Sequence, residues 1–291
     1  MNIKRKIFLS AKAYLFLAPF LIFFILVIAY PVVLGVYLSF FGQRGARMWY
    51  VGGENYLSVL TDPNFWSGFD IPIFLLLVQV PLMLFISIFI ALLYEQIKHS
   101  QVYRLIFYLP YAIPGIIAGI VWSYIFSKSM SPFIPLLSFF GIHNVNFLNL
   151  STLIWILLII ILWEWTGYTA LIIYSTLLSI PREYAEAAKI DGANNMQIAF
   201  YIKIPLLMNT VLILFIFNAI GALQVFNEPW MLGALVTLPP NYTPAMYIYN
   251  EAFYYGDFTY AIAMGLVLAG VIFSISFFFL RTASKQLQIH E

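Results

Sequence analysis

The sequence predicts an all-α integral membrane protein with six transmembrane helices, and three observations predict it. The chain of 291 residues is 63% hydrophobic and 9% charged, whereas soluble domains carry about 25% charged residues. Six stretches reach the roughly 20 mostly apolar residues needed to cross a hydrocarbon core. The basic residues are confined almost entirely to alternate loops.

The six spans fall at about Ala13 to Ser39, Ile71 to Tyr94, Leu105 to Phe126, Ser151 to Leu178, Leu206 to Phe226 and Thr259 to Leu280. Helices fit these lengths, because a barrel strand would alternate polar and apolar residues over about 10 positions. Lys4, Arg5 and Lys6 precede the first span. Its apolar run is longer than the roughly 7–15 residues of a cleavable signal segment, so it is expected to be retained. Prolines at Pro31, Pro110 and Pro114 sit within or beside spans, where each removes a backbone donor and favours a kink.

With the N-terminus in the cytoplasm, the inside segments hold Lys4, Arg5, Lys6, Lys12, Lys98, Arg104, Arg182, Lys189, Lys203, Arg281 and Lys285. The outside holds Arg44, Arg47 and Lys128. That asymmetry obeys the positive-inside rule and places both termini in the cytoplasm. The outside loops are then near 41 to 70, 127 to 150 and 227 to 258, and membrane lipid covers the apolar surface. Aromatic residues at the span ends, Trp49, Tyr50, Trp66, Trp122, Tyr124, Tyr254 and Tyr255 among them, suit interface anchoring, with ligand stacking as the other use.

Several function classes drop out. A net charge of +2 is too small to imply a nucleic-acid partner. There is no cysteine, and His99, His143 and His290 are scattered, so no metal site is expected. No Gly-x4-Gly-Lys-[Ser/Thr] phosphate loop occurs, so any ATP must be hydrolysed on another chain. No acid pair, histidine cluster or nucleophile with a base lies along one helix, which argues against an enzyme.

The segment 179–205 between the fourth and fifth spans is more than a connector. Pro181-Arg182-Glu183 is a helix start, and Glu183 to Ile190 is rich in helix formers with acids early, as the helix dipole prefers. Gly192 supplies a stop or sharp turn, and Ala193 to Ile204 is expected to form a second short helix ending at Pro205. By physics alone this is a compact knob on the cytoplasmic face or an interfacial amphipathic hairpin.

The same residues carry a resemblance. Glu186-Ala187-Ala188, three residues, Gly192, nine residues, then Ile202-Lys203-Ile204-Pro205 resembles the EAA loop of binding-protein-dependent ABC permeases, with Ile204 where Leu is usual. Ile180-Pro181, Ile190-Asp191-Gly192-Ala193 and Pro205-Leu206-Leu207 are similar to the sugar-importer, maltose-type branch. Gly53-Glu54-Asn55-Tyr56, Leu109-Pro110-Tyr111-Ala112-Ile113-Pro114 and Tyr247 to Phe253 extend the likeness over nearly the whole chain. Thr237-Leu238-Pro239-Pro240 departs from it, since many relatives have a Gly-Gly-Pro turn there. The resemblance implies a type I importer permease fold. It also implies a second permease, usually a different chain, two ATPase subunits that bind ATP and Mg, and a solute-binding protein that delivers a sugar from outside. Glu186, Ala187, Ala188, Asp191, Gly192 and Pro205 are then the ATPase-coupling residues, Glu186 through polar contact and Gly192 through its turn.

Glu164 is the one ionisable residue that this reading places near the middle of a span, in Leu162-Trp163-Glu164-Trp165-Thr166-Gly167-Tyr168. A carboxylate there costs about 2.5–3.5 kcal/mol on insertion scales, so it should face a cavity or a partner helix. It reads either as a buried structural acid or as a solute contact. Likeness to the maltose-type branch favours contact, and implies Trp165, Tyr168, Asn218 and Gln224 as further pathway residues, although Asn and Gln within spans also serve as interhelical glue. Sparse basic charge within the spans argues against a strongly anionic solute. The rival function is a secondary transporter with Glu164 as proton-coupling group, which leaves the EAA-like loop unexplained. A purely structural scaffold leaves it unexplained too.

Overall fold

The computed structural model describes residues 16–97, 100–141, 143 and 146–287, with the backbone described over 282–287. Lys4, Arg5, Lys6, Lys12, Lys98, the side chain of Lys285, His99, His290 and the first residues of the first expected span lie outside the described residues. In chain order the elements are α1 (Phe16–Leu38), strands β1 (Phe41–Arg44) and β2 (Arg47–Tyr50), α2 (Glu54–Thr61), α3 (Pro63–Gln96), α4 (Ser100–Ala112), α5 (Gly115–Ile125) and α6 (Phe133–Phe139). There follow α7 (Leu153–Leu177), α8 (Arg182–Ile190), α9 (195–223), α10 (Asn227–Leu232), α11 (Pro244–Tyr249) and α12 (Phe258–Leu287).

Among the described residues, five helical stretches are long and apolar enough to cross a membrane: α1, α3, α7, the stretch Asn195–Leu232 and α12 as far as Arg281. The sixth expected span, Leu105 to Phe126, is not one straight helix. It is α4 and α5, bent by 96° at a short break. The cause is local: Pro110 sits in a 3-10 turn, and Ile113 turns extended ahead of Pro114, as a residue before proline must.

The chain divides into two compact units, 1–62 with 248–269 and 63–247 with 270–291. In the first, the apolar window of α1 has no buried residue. A β-hairpin, absent from the helical reading of the sequence, follows it, with Arg44 opposite Arg47 across a two-residue turn. Gly45 at φ +60 opens that turn, the left-handed backbone that favours glycine in two-residue hairpin loops. Trp49 lies over Gly42, its cross-strand partner. Asn55 donates to the Ser39 and Phe41 carbonyls at 2.8 Å each, and Tyr56 bonds Ser39 at 2.5 Å, so the Gly53-Glu54-Asn55-Tyr56 motif ties α2 to the end of α1.

In the second unit α7 is the central post. It packs along α3 and also touches α4, α5, α9 and α10. Leu157, Ile160 and Ile173 are fully buried on it, against Leu75, Val80 and Leu207 of its neighbours. Where α7 meets the end of α4 the backbones touch: a methyl group on Gly167 would sit 1.7 Å from the Phe107 carbonyl oxygen. The Ser87 hydroxyl donates to the Thr166 carbonyl at 3.1 Å, which binds α3 to the same turn.

Candidate functional site

The first candidate region is the knob between α7 and α9. Pro181 caps α8, Glu183 lies in its first turn and Lys189 in its last, each on the side the helix dipole favours. The Ala193 N–H donates to the Ala188 carbonyl at 2.9 Å and the Gly192 N–H to that of Lys189 at 3.0 Å. With Gly192 at φ +86, these two bonds make a Schellman stop. Ala188, the last residue of the Glu-Ala-Ala triplet, is thus the carbonyl that closes the helix. Two residues on, Asn194 starts the next helix with a capping box: the Gln197 N–H donates to Asn194 Oδ1 at 2.9 Å, and the Asn194 N–H to Gln197 Oε1 at 2.8 Å.

The second helix does not end at Pro205, contrary to the sequence expectation. It runs through a π turn at Ala199–Lys203 into the spanning helix, with Pro205 at the second residue beyond the turn. The Ile204 N–H reaches back to the Ala199 carbonyl, and this wider loop accommodates a proline that lacks its own donor. Glu186, Ala187, Asp191 and Gly192 are exposed and Ala188 half-buried. Ile190 is 87% exposed and Tyr201 80%, so the knob presents apolar side chains outward. Behind it a cleft of about 410 Å³ is lined by Glu186, Lys189, Glu95 and Lys203 among others. Lys203 Nζ bridges both Glu95 oxygens at 2.6 Å, which ties the base of the knob to the end of α3.

The second candidate region lies on the middle of α7. Glu164 is 4% exposed. The carboxyl beside it, close enough to hydrogen-bond, is that of Glu228 on α10, itself 8% exposed. Glu164 Oε2 is buried and has no hydrogen-bond partner among the described residues. Glu228 sits in a segment that reads from sequence as outside loop, so the span pattern did not show that Glu164 has a second acid beside it. It is seated there because α10 packs on α5 across Gly115 and Gly119, the small-xxx-small spacing that lets helices approach closely. A methyl group on Gly115 would lie 2.6 Å from Glu228 Oε1.

Tyr168, one turn along α7 from Glu164, stacks on Tyr111 with centroids 4.1 Å apart and planes at 12°. Trp165 meets the same Tyr111 edge-on at 5.2 Å, and Tyr108 lies 5.5 Å from it. All four rings are half-buried. Of the residues named from sequence, Glu164, Trp165 and Tyr168 therefore share one cluster. Asn218 donates to the Leu214 carbonyl of its own helix at 2.7 Å, and Gln224 is the exposed cap of α9. Sequence reasoning missed Glu228, Tyr108 and Tyr111. The acid in Asn227-Glu228-Pro229-Trp230, embedded in an otherwise apolar run, was the available signal for the first.

Residues 83–287 match the family described as binding-protein-dependent transport system inner membrane component. A sulfoquinovosyl glycerol transport system permease protein of Agrobacterium fabrum is 31% identical over 275 residues, covering 92% of this chain and 89% of its own. An arabinooligosaccharides transport system permease protein of Bacillus subtilis is 29% identical and covers 97% of this chain and 92% of its own. Among solved structures, a chain of a bacterial ABC transporter involved in the import of the acidic polysaccharide alginate superposes with a TM-score of 0.84 at 20% identity, over 98% of this chain and 99% of that one.

Proposed function

The chain belongs to the family of binding-protein-dependent transport system inner membrane components, and from that premise we propose that it is the permease subunit of an ABC importer that carries a sugar or oligosaccharide across the bacterial cytoplasmic membrane. Relatives over nearly full length include permeases named for sulfoquinovosyl glycerol, lactose and arabinooligosaccharides. The observation that carries the mechanism is the rigid α8–Gly192–α9 knob. Schellman stop and capping box fix its shape, and the Glu95–Lys203 bridge and the continuous helix into α9 join it to the bundle.

Such a knob transmits force. An ATPase subunit that grips the exposed Tyr184, Ile190 and Tyr201 moves α9 with it, because no flexible residue separates the capping box from the spanning helix. ATP and Mg are held on two such ATPase subunits, a second permease completes the pathway, and a solute-binding protein delivers the sugar on the opposite side. Both termini and the knob are cytoplasmic in this arrangement, in keeping with the basic loops. ATP drives transport by binding one conformation of the assembly better than the other. Glu164, Trp165 and Tyr168 line the solute path with Asn218 and Gln224 farther along it, and Glu186, Ala187, Ala188, Asp191, Gly192 and Pro205 form the coupling element.

The test is uptake of labelled oligosaccharides by vesicles carrying the complete system, with Gly192→Asp and Glu186→Lys beside wild type and ATPase retention on the membrane scored in parallel. Loss of both docking and uptake, with the chain still inserted, is the expected result. Uptake that survives both changes and collapses with the proton gradient would transfer the function to secondary transport through Glu164.

A further inference from the structure

Away from the knob and from α7, the described residues enclose a cavity of about 610 Å³, a volume typical of small-molecule sites. It opens between the β-hairpin and the segment 251–257, wholly within the first unit, and on the orientation proposed above it faces the outside. Arg44 and Trp49 line one wall, and Glu251, Tyr255 and Asp257 line the other. Arg44 and Trp49 fall on one face of the hairpin, because Gly42 pairs with Trp49 and side chains alternate along a strand. A methyl group on Gly42 would stand 2.9–3.0 Å from three adjoining atoms of the indole, so the ring lies face-on against the opposite strand. The ring is nevertheless 49% exposed, which leaves its other face open as a platform. The polar groups have capacity left. Asp257 Oδ1 accepts from the Tyr260 N–H at 3.0 Å and the Thr259 hydroxyl at 3.2 Å, so the carboxylate is held in place with Oδ2 available. Arg44 makes no ion pair among the described residues and stands opposite Arg47 in the register, a like-charge pairing that costs stability until a partner engages one of them.

These groups select a ligand class. A free anion meets two carboxylates against one guanidinium. A metal ion wants three or more acidic, histidine or cysteine ligands together, and no such group occurs among the described residues. An apolar ligand leaves Arg44 and both carboxylates unpaired. A neutral sugar satisfies all of them, since each hydroxyl both donates and accepts while the ring offers an apolar face. We propose that this cavity is an outer saccharide subsite. A sugar ring packs on the open face of Trp49, Tyr255 bounds the other wall, and the hydroxyls donate to Asp257 and accept from Arg44. The proposal rests on the importer reading above. The subsite is made of residues remote in sequence from Glu164, Trp165 and Tyr168, and it gives the saccharide a hold on the permease as it leaves the binding protein.

The experiment uses the assembled permeases and ATPases in nanodiscs, with the binding protein left out. Because this chain has no cysteine, Tyr255→Cys puts one thiol in the cavity, and Tyr254→Cys puts one on the exposed neighbour outside it. Maleimide labelling of this chain is timed with and without neutral trisaccharides of glucose, galactose and arabinose. A subsite with a Kd on the order of 10 mM slows labelling of Tyr255→Cys about threefold at about 20 mM sugar. That slowing is expected for at least one of the sugars, with Tyr254→Cys unaffected. Adding Trp49→Leu should bring the ratio back to one, whereas Tyr50→Leu, on the other face of the strand, should leave the slowing intact. A ratio of one for every sugar, equal slowing at both thiols, or slowing that survives Trp49→Leu overturns the proposal. Slowing by sugar-free binding protein but by no sugar overturns it in favour of a protein-docking face. Arg44→Cys carries the same comparison should Tyr255→Cys fail to retain the ATPases, and loss of assembly in both also overturns the subsite, because these side chains then hold the hairpin in place. ATP-driven uptake of the same sugars by proteoliposomes carrying the complete wild-type system separates the two readings. Uptake without slowing sinks the subsite alone, and absence of uptake of every saccharide defeats the importer reading whatever the thiols show.

Discussion

A methyl group is too large for position 167. An alanine there would place its Cβ 1.7 Å from the Phe107 carbonyl oxygen, and backbone cannot yield as a flexible side chain can. Gly167→Ala is expected to destabilise the second unit by about 3 kcal/mol or more, read as a fall in thermal midpoint in detergent, whereas Gly221→Ala, with open space around it, should leave the midpoint nearly unchanged. Tyr242 gives the opposite sign. Its ring is buried and its hydroxyl has no hydrogen-bond partner among the described residues. Tyr242→Phe should therefore be neutral or stabilise by up to about 1 kcal/mol. Burial also pushes this phenol from its ordinary 10.0 up to about 12. Below pH 10 it is neutral in folded and unfolded chains alike. Between about 10 and 12 the unfolded chain releases the proton and the folded chain keeps it, so stability falls as pH rises through that window. The Phe variant should lack this part of the decline in a denaturation series taken across those pH values.

At the scale of elements, three π turns obey one rule. Ile25–Ala29, Leu75–Gln79 and Ala199–Lys203 each end two residues before a proline, at Pro31, Pro81 and Pro205. In each case the residue before the proline donates five positions back, to Ile25, Leu75 and Ala199 respectively. The helix widens where proline would otherwise strike the preceding turn, and the apolar span continues with little bend. Pro114 has no such turn before it, and there the chain breaks by 96°. The join between α8 and α9 rests on a smaller device. Asn194→Ala removes one half of the capping box and should cost about 1 kcal/mol of local stability, visible as faster amide exchange over 195–203 with the core of α7 unaffected. If exchange there is unchanged, the rigid-knob account of coupling fails.

For the whole molecule, lipid and partner chains are solvents as much as water is. The absence of cysteine makes its orientation directly measurable. Asp191→Cys and Lys128→Cys both place a thiol on exposed positions. A membrane-impermeant maleimide should label the second from outside intact cells and the first only in inverted vesicles. The reverse pattern would turn the protein over and remove the knob from the ATPases.

The sequence by itself determined the membrane class, the five long apolar helices and the helix–Gly–helix form of the 179–205 segment. These depend on hydrophobic length and on cap residues a few positions apart, which are local. The π turn that carries the second helix past Pro205 was less visible, since a proline in sequence marks a stop unless the backbone widens around it. Only the tertiary structure decided that Glu228 stands beside Glu164 and Tyr111 on Tyr168. Those meetings depend on a bend at Pro114 and on two glycines of α5 that admit α10, and no local pattern of hydrophobicity records which distant segment a close backbone approach will bring in.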